Sequence, residues 1–251
     1  MKVRFGILTA LAAMIAGLHG GTALATGSTH IWAPSTDVQA FKVWHITCDL
    51  YVPIRPASSG SLLPTVTNVG LTVGVLPFKK LNAEVGFDHK SGLGYADNYP
   101  LYGNFKLGVP ENVFGHISPS LAVGVFDVGT KIGWTDFNVM YGKLAKTIAI
   151  NKVSLGRVSA GYFIGSKKLL IDDNGAEDNH GPMVAWERTM TEFSDKLWIC
   201  LEYMGTKSAY GSFNLGASWK FAPNVALLGG YEIYNNSAFV DTATLQVDID
   251  M

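Results

Sequence analysis

The sequence predicts an all-β protein: a closed, antiparallel transmembrane β-barrel of about twelve strands. Within 69–88, Val69, Leu71, Val73 and Val75 alternate with Gly70, Thr72 and Gly74 before the chain turns at Pro77 to Lys80. Leu81, Ala83, Val85 and Phe87 then alternate with Asn82, Glu84, Gly86 and Asp88. A period of two sends successive side chains to opposite faces, and the short connection makes the two strands antiparallel neighbours with their apolar faces on one side. The plan returns at 213–232, where Phe213, Leu215, Ala217, Trp219 and Phe221 alternate with Asn214, Gly216, Ser218 and Lys220 before a turn at Ala222 to Asn224. Mean hydropathy is +0.20 and charged residues are only 16%, yet beyond the N-terminal leader no run approaches the roughly 20 apolar residues of a membrane helix. Apolar side chains dispersed in alternation suit strands with one face on lipid. A soluble sandwich alternates as well, but segments of about ten residues match a tilted strand crossing a bilayer.

Ahead of the barrel, Lys2 and Arg4, the apolar run Gly6 to Leu18 and the sequence Ala23-Leu24-Ala25 are the parts of a secretory signal peptide over 1–25, cut after Ala25. The apolar core is too short to cross a bilayer, and no cysteine lies near the cut to carry a lipid. Residues 26–40, with turn formers Pro34, Ser35, Thr36 and Asp37, are expected as a periplasmic N-terminal lead-in, and 41–251 as the barrel. Without the leader, 17 basic residues (19 less Lys2 and Arg4) face 20 acidic ones. That acidic balance argues against nucleic acid as a partner.

Besides the two hairpins, alternation places strands at 41–52, 99–109, 119–128, 136–148, 157–164, 182–189, 196–204 and 240–250, the pattern being least regular at 136–148. Connections after odd-numbered strands, 53–64, 89–98 and 166–181 above all, are mostly longer than those after even-numbered ones. Long loops are expected to face outward, with both termini in the periplasm. Trp44, Phe78, Trp186, Tyr203, Trp219 and Phe221 lie near strand ends, where aromatic side chains form interfacial girdles. Cys48 shares a face with Trp44 and Ile46 and Cys200 one with Glu202, so the two thiols are expected on opposite faces and unpaired.

Taken together, the signal, the hairpins GLTVGVLPFKKLNAEVGFD and FNLGASWKFAPNVALLGGYE, KLGVPE followed by PSLAVGVFDVG, and the alternating end TLQVDIDM resemble small bacterial outer-membrane β-barrel proteins of a porin-like kind. The resemblance covers nearly the whole chain after the leader, and implies a place in the bacterial outer membrane, among its lipids, reached through its assembly machinery. Leu245, Val247, Ile249 and Met251 keep the terminal alternation of such barrels, with Met251 where an aromatic residue is usual.

With one face on lipid, the other lines the lumen. His45, Asp49, Asn68, Asn82, Glu84, Asp88, Asn104, Lys106, Arg157, Glu202, Lys220, Glu232, Gln246 and Asp248 are expected there, with both signs of charge represented. Such residues either coat a narrow passage for small polar solutes or pair with one another and plug it, leaving a structural or surface-adhesive barrel. An enzymatic alternative starts from His89 and Ser91: two apart on one strand, they share a face as a serine and its base require. EVGFDHKSG also resembles the H-x-S-N-G segment of outer-membrane phospholipase and lipid A deacylase barrels, which implies a rim lipid esterase with Asn98 orienting His89. Gly92 stands where those families carry asparagine. The acidic loop Asp172 to Asp178 lacks the full calcium-loop spacing and is expected as a solvated loop. No cofactor and no metal site is expected, and the sequence does not set the oligomeric state.

Overall fold

A computed structural model gives the fold for residues 28–57, 59–151 and 153–251, so the leader lies outside the described residues. Twelve antiparallel strands close into one barrel: β1 (Trp44–Pro53), β2 (Val66–Gly74), β3 (Asn82–Ser91), β4 (Leu101–Val109), β5 (Ser120–Gly129), β6 (Asp136–Ile150), β7 (Val153–Ile164), β8 (His180–Thr189), β9 (Leu197–Met204), β10 (Ser212–Ala222), β11 (Val225–Tyr234) and β12 (Thr242–Asp250). Each strand pairs with the next in sequence, and β1 closes on β12 with His45 opposite Asp250 and Leu50 opposite Leu245. Closure gives every strand two partners and leaves no open edge, the condition for a sheet in hydrocarbon. The expected strands are all present. The largest shift is at 153, where β7 starts four residues before the expected 157; β2 starts three residues early, at 66, β1 three late, at 44, and β3 runs on three residues, to 91, into the expected loop. A short 3-10 turn at Gly94–Asn98 follows.

The alternation sorts side chains as the period of two requires. Val69, Val85, Phe87, Leu101, Val123, Leu144, Val184 and Leu245 stay exposed on the outer surface, while Glu84, Lys106, Lys143, Glu202, Asn214 and Gln246 are buried within the ring. An exterior of exposed aliphatic side chains around a charged interior is the inverse of a soluble protein and fits immersion in lipid. Trp44, Phe78, Trp219 and Phe221 are exposed at the end that carries the termini and the connections after even-numbered strands; Tyr203, Tyr162 and Phe87 stand toward the opposite end. Cys48 is exposed on the outer face, Cys200 is buried on the inner face, and both are free.

Residues 28–40, the expected lead-in, run inside the ring. Ile31 and Ala33 are fully buried, as are His30, Ser35, Thr36 and Gln39. Ile31 packs with Ala185, Cys200 and Leu228 of three different strands, and Ala33 with Ala122, Val139, Tyr141 and Phe163. Turn formers at 34–37 gave no sign of this, because a segment without regular periodicity reads as loop wherever it lies.

The inner wall makes room for it with small residues. A Cβ at Gly216 would meet Ile31 at 2.9 Å and one at Gly108 would meet Val38 at 2.6 Å. At Gly74 the segment crosses onto the wall: Lys42 N–H donates to the Gly74 carbonyl at 2.8 Å, and an added Cβ would lie 2.0 Å from the Ala40 carbonyl oxygen. Backbone cannot yield as a side chain can. Gly74→Val is therefore expected to weaken docking of 28–40 by about 1–3 kcal/mol, the usual range for overpacking. Faster chymotrypsin cleavage after Trp32 in the folded barrel measures the effect.

Candidate functional site

The interior is organised around the backbone of 28–40, which runs through the ring without a sheet partner of its own and takes its hydrogen bonds largely from inward side chains of the wall. Glu202 of β9 meets it head on. One carboxylate oxygen accepts from Trp32 N–H at 2.7 Å and Ala33 N–H at 3.1 Å, the other from Ala33 N–H at 3.2 Å and Ile31 N–H at 3.4 Å. Asn214 of the neighbouring strand donates to the same group at 2.7 Å. Consecutive backbone N–H groups converging on one anion form a nest, here with the anion supplied by the wall. Glu84 of β3 likewise accepts the Gln39 N–H at 2.7 Å.

Lysines of the wall take the carbonyls. Lys106 donates to Ser28 O at 2.6 Å and Asp37 O at 2.7 Å while pairing with Glu84 at 3.0 Å. Lys143 donates to Pro34 O at 2.8 Å. Gln246 Nε2 donates to Ile31 O at 2.8 Å, and the hydroxyls of Thr36 and Ser120 meet at 2.8 Å. Arg157 of β7 grips both oxygens of Asp37 and reaches Glu187 of β8 through Nε at 2.8 Å. A planar guanidinium is suited to such two-sided recognition.

His30 completes the set, 3.1 Å from Glu187 through Nε2 and 3.3 Å from the Lys143 ammonium through Nδ1. A neutral ring donating from Nε2 and accepting at Nδ1 satisfies both contacts.

The expected lumen residues thus fall into three groups. Glu84, Lys106, Arg157, Glu202 and Gln246 hold the segment directly. His45 is clasped by Asp250 at 2.8 Å and Asp248 at 3.3 Å; Asp49 and Asp88 share the Asn68 amide, and Asn104 donates to Asp88 at 2.9 Å; Glu232 accepts from Thr242 at 2.6 Å. Asn82 and Lys220 stand near the barrel end, Asn82 donating to the Phe78 carbonyl at 3.1 Å.

His30, Asp37, Asp127, Lys143 and Glu187 also belong to the interior but were not among the expected residues. Asp127 sits in a β-bulge of β5 with φ of 54°, which turns its carboxylate inward onto Lys90 at 2.6 Å. A bulge re-aims a side chain against the parity that sequence reading relies on.

The esterase residues are not assembled. His89 is exposed on the outer face, the Ser91 hydroxyl meets Thr67 at 2.6 Å, and Asn98 donates to the Tyr95 carbonyl at 2.9 Å. Among the described residues no hydrogen bond joins His89 to Ser91 or to Asn98. In the acidic loop, Asp172 accepts from the Ala176 N–H at 2.8 Å and the Asn174 N–H at 2.9 Å, bonds that lower its carboxyl below the usual range.

The barrel superposes on the KdgM porin with a TM-score of 0.51 at 7% identity, over 83% of this chain and 99% of that one. For the NanC porin the TM-score is 0.50 at 9% identity, over 83% and 98%. The fold is that of porin-like barrels. A further similar structure, an outer membrane channel from Pseudomonas putida F1, has 12% identity over 86% of this chain and 97% of that one, with a TM-score of 0.47. No protein-family model and no curated protein sequence matches the chain. Inside this barrel the inward charged side chains surround and hold residues 28–40.

Proposed function

We propose that the chain is an outer-membrane porin-type channel for small polar solutes, held shut by its own residues 28–40, with both termini and the shorter turns toward the periplasm. The observation that carries the reading is the manner of attachment. The segment is joined to the wall by hydrogen bonds and ion pairs from at least seven strands, through the same charged side chains that would otherwise line a hydrated passage. Water can replace each of those contacts once the segment leaves, whereas a continuous apolar core would resist opening. The polar inward face and the apolar outward face support a conducting role, and the porins of like fold agree with it.

Single-channel recording in planar bilayers tests it. The intact barrel is expected to show rare openings, and a variant lacking 28–40 sustained conductance. A deletion variant that still runs as a heat-modifiable folded barrel yet stays silent would overturn the proposal in favour of a purely structural interior.

A further inference from the structure

At the end of the barrel carrying the longer loops lies a cavity of about 480 Å³, open above the docked segment. The volume is in the range that takes a small organic molecule. Its wall is mostly aromatic and aliphatic, with rings from Trp32, Tyr51, Phe137, Tyr210, Tyr234 and Phe239. These rings are braced against one another: Trp32 meets Tyr51 edge-on at 5.2 Å, Phe137 meets Tyr210 at 5.7 Å, and Tyr234 meets Phe239 at 5.6 Å. A wall of fixed aromatic faces offers both apolar contact and negative ring quadrupoles.

Deeper in the ring, sharing Trp32, Tyr51, Asn68, Lys90, Asp127 and Tyr210 with it, lies a smaller cavity of about 130 Å³ that Asp49 and Asp88 also line, and the charges there are unbalanced. Lys90 is neutralised where it stands by Asp127 at 2.6 Å, a carboxylate that also accepts from the Tyr210 hydroxyl, and deeper in the lumen Lys106 is neutralised by Glu84. His45 is already shared between two carboxylates. Asp49 and Asp88 are left over. They lie on either side of the Asn68 amide nitrogen, at 3.0 and 3.3 Å, and receive otherwise only the Thr47 hydroxyl and the Asn104 amide; neither has an ion-pair partner among the described residues. Asn68 is itself part of the cavity wall. Its Nδ2 is taken up by the two carboxylates, and its Oδ1 is a buried acceptor without a partner, as is the hydroxyl of the fully buried Tyr102 beside it in the wall.

We propose that this cavity binds a small organic cation with an apolar body, an aryl or alkyl ammonium. The body lies against the ring wall, and the ammonium reaches past Asn68 toward Asp49 and Asp88, the two carboxylates that line the adjoining smaller cavity. Neutral guests gain the ring contacts alone, and anions meet Asp49 and Asp88. The site stands apart from the channel reading: it needs the segment docked, because Trp32 supplies part of the wall, and it is read by binding instead of by conductance.

Isothermal titration of the full barrel in detergent with phenethylamine, phenethyl alcohol and phenylacetate tests it at neutral pH. The amine is expected to bind about tenfold tighter than the alcohol, with the carboxylate weakest. Asp88→Asn is expected to narrow the gap between amine and alcohol to about twofold, since one of two carboxylates is lost. Equal or tighter binding of the alcohol or of phenylacetate by the unaltered barrel, or no binding of any of the three, would overturn the proposal without reference to any variant. A silent channel would leave it standing.

Discussion

Truncating Glu202 is expected to release residues 28–40 from the lumen. In the docked state its two oxygens accept the N–H groups of Ile31, Trp32 and Ala33; the carboxylate, Ile31 and Ala33 are buried and Trp32 is half-buried. In the released state water solvates the carboxylate and the freed N–H groups alike, so the contacts count in full toward docking. A hydrogen bond to a charged group contributes about 1.5–3 kcal/mol, and a buried donor left unmade costs about 1–3. Allowing for water entering the space left by the side chain, Glu202→Ala is expected to cost docking about 3–5 kcal/mol. At 1.4 kcal/mol per factor of ten, that is roughly a hundredfold to a few thousandfold in the docked-to-free ratio.

Glu202→Gln separates charge from shape. The amide keeps one oxygen for Trp32 but turns an NH₂ group toward N–H donors of 31–33, so it is expected to recover little of the loss. Hydrogen exchange at the amides of Ile31, Trp32 and Ala33 reads the docked population directly. Unchanged protection in Glu202→Ala would show that packing and the remaining wall contacts, such as Gln246 to the Ile31 carbonyl, hold the segment without Glu202.

How much of this was legible depends on which rule each residue obeys. Strand number, closure and the inward placement of Glu84, Lys106, Glu202 and Gln246 follow from a period of two, which a one-residue slip would invert and which is therefore strongly fixed. The alternation at 136–148 reads poorly for a physical reason: on the inward face of β6, Val139 and Tyr141 share an apolar cluster with Ala33 of the segment and Lys143 holds the Pro34 carbonyl, instead of facing water. Asp127 escapes parity because of its bulge. The segment itself carries no periodic signal, yet its imprint was present in the tiny residues of the inward face, Gly74, Gly108 and Gly216, which a water-filled lumen does not require. A polar wall interrupted by glycines is thus a sign of something packed against it.

The second large effect falls on Arg157, which ties the segment to two strands at once. Its guanidinium is mostly buried and holds Asp37 of the segment and Glu187 of β8 together. Removing the cation in Arg157→Met leaves two carboxylates facing each other, and breaking a buried pair in this way costs about 3–5 kcal/mol. The Asp37 side chain is about one-third exposed, and Glu187 keeps the His30 and Trp198 donors at 3.1 and 2.9 Å. Discounted for solvent at Asp37, a loss of about 2–3 kcal/mol is expected, some thirtyfold to more than a hundredfold in docking. Arg157→Lys supplies a single ammonium that cannot meet both oxygens of Asp37 and also reach Glu187, so it is expected to rescue only in part. The decisive measurement is a double-mutant cycle with Asp37→Asn, read by exchange at the 31–33 amides. If Arg157 acts on the segment through Asp37, the two losses will be far from additive. Additive losses would mean that Arg157 serves only to neutralise Glu187 within the wall, and that the grip on the segment lies at Glu202 and the lysines.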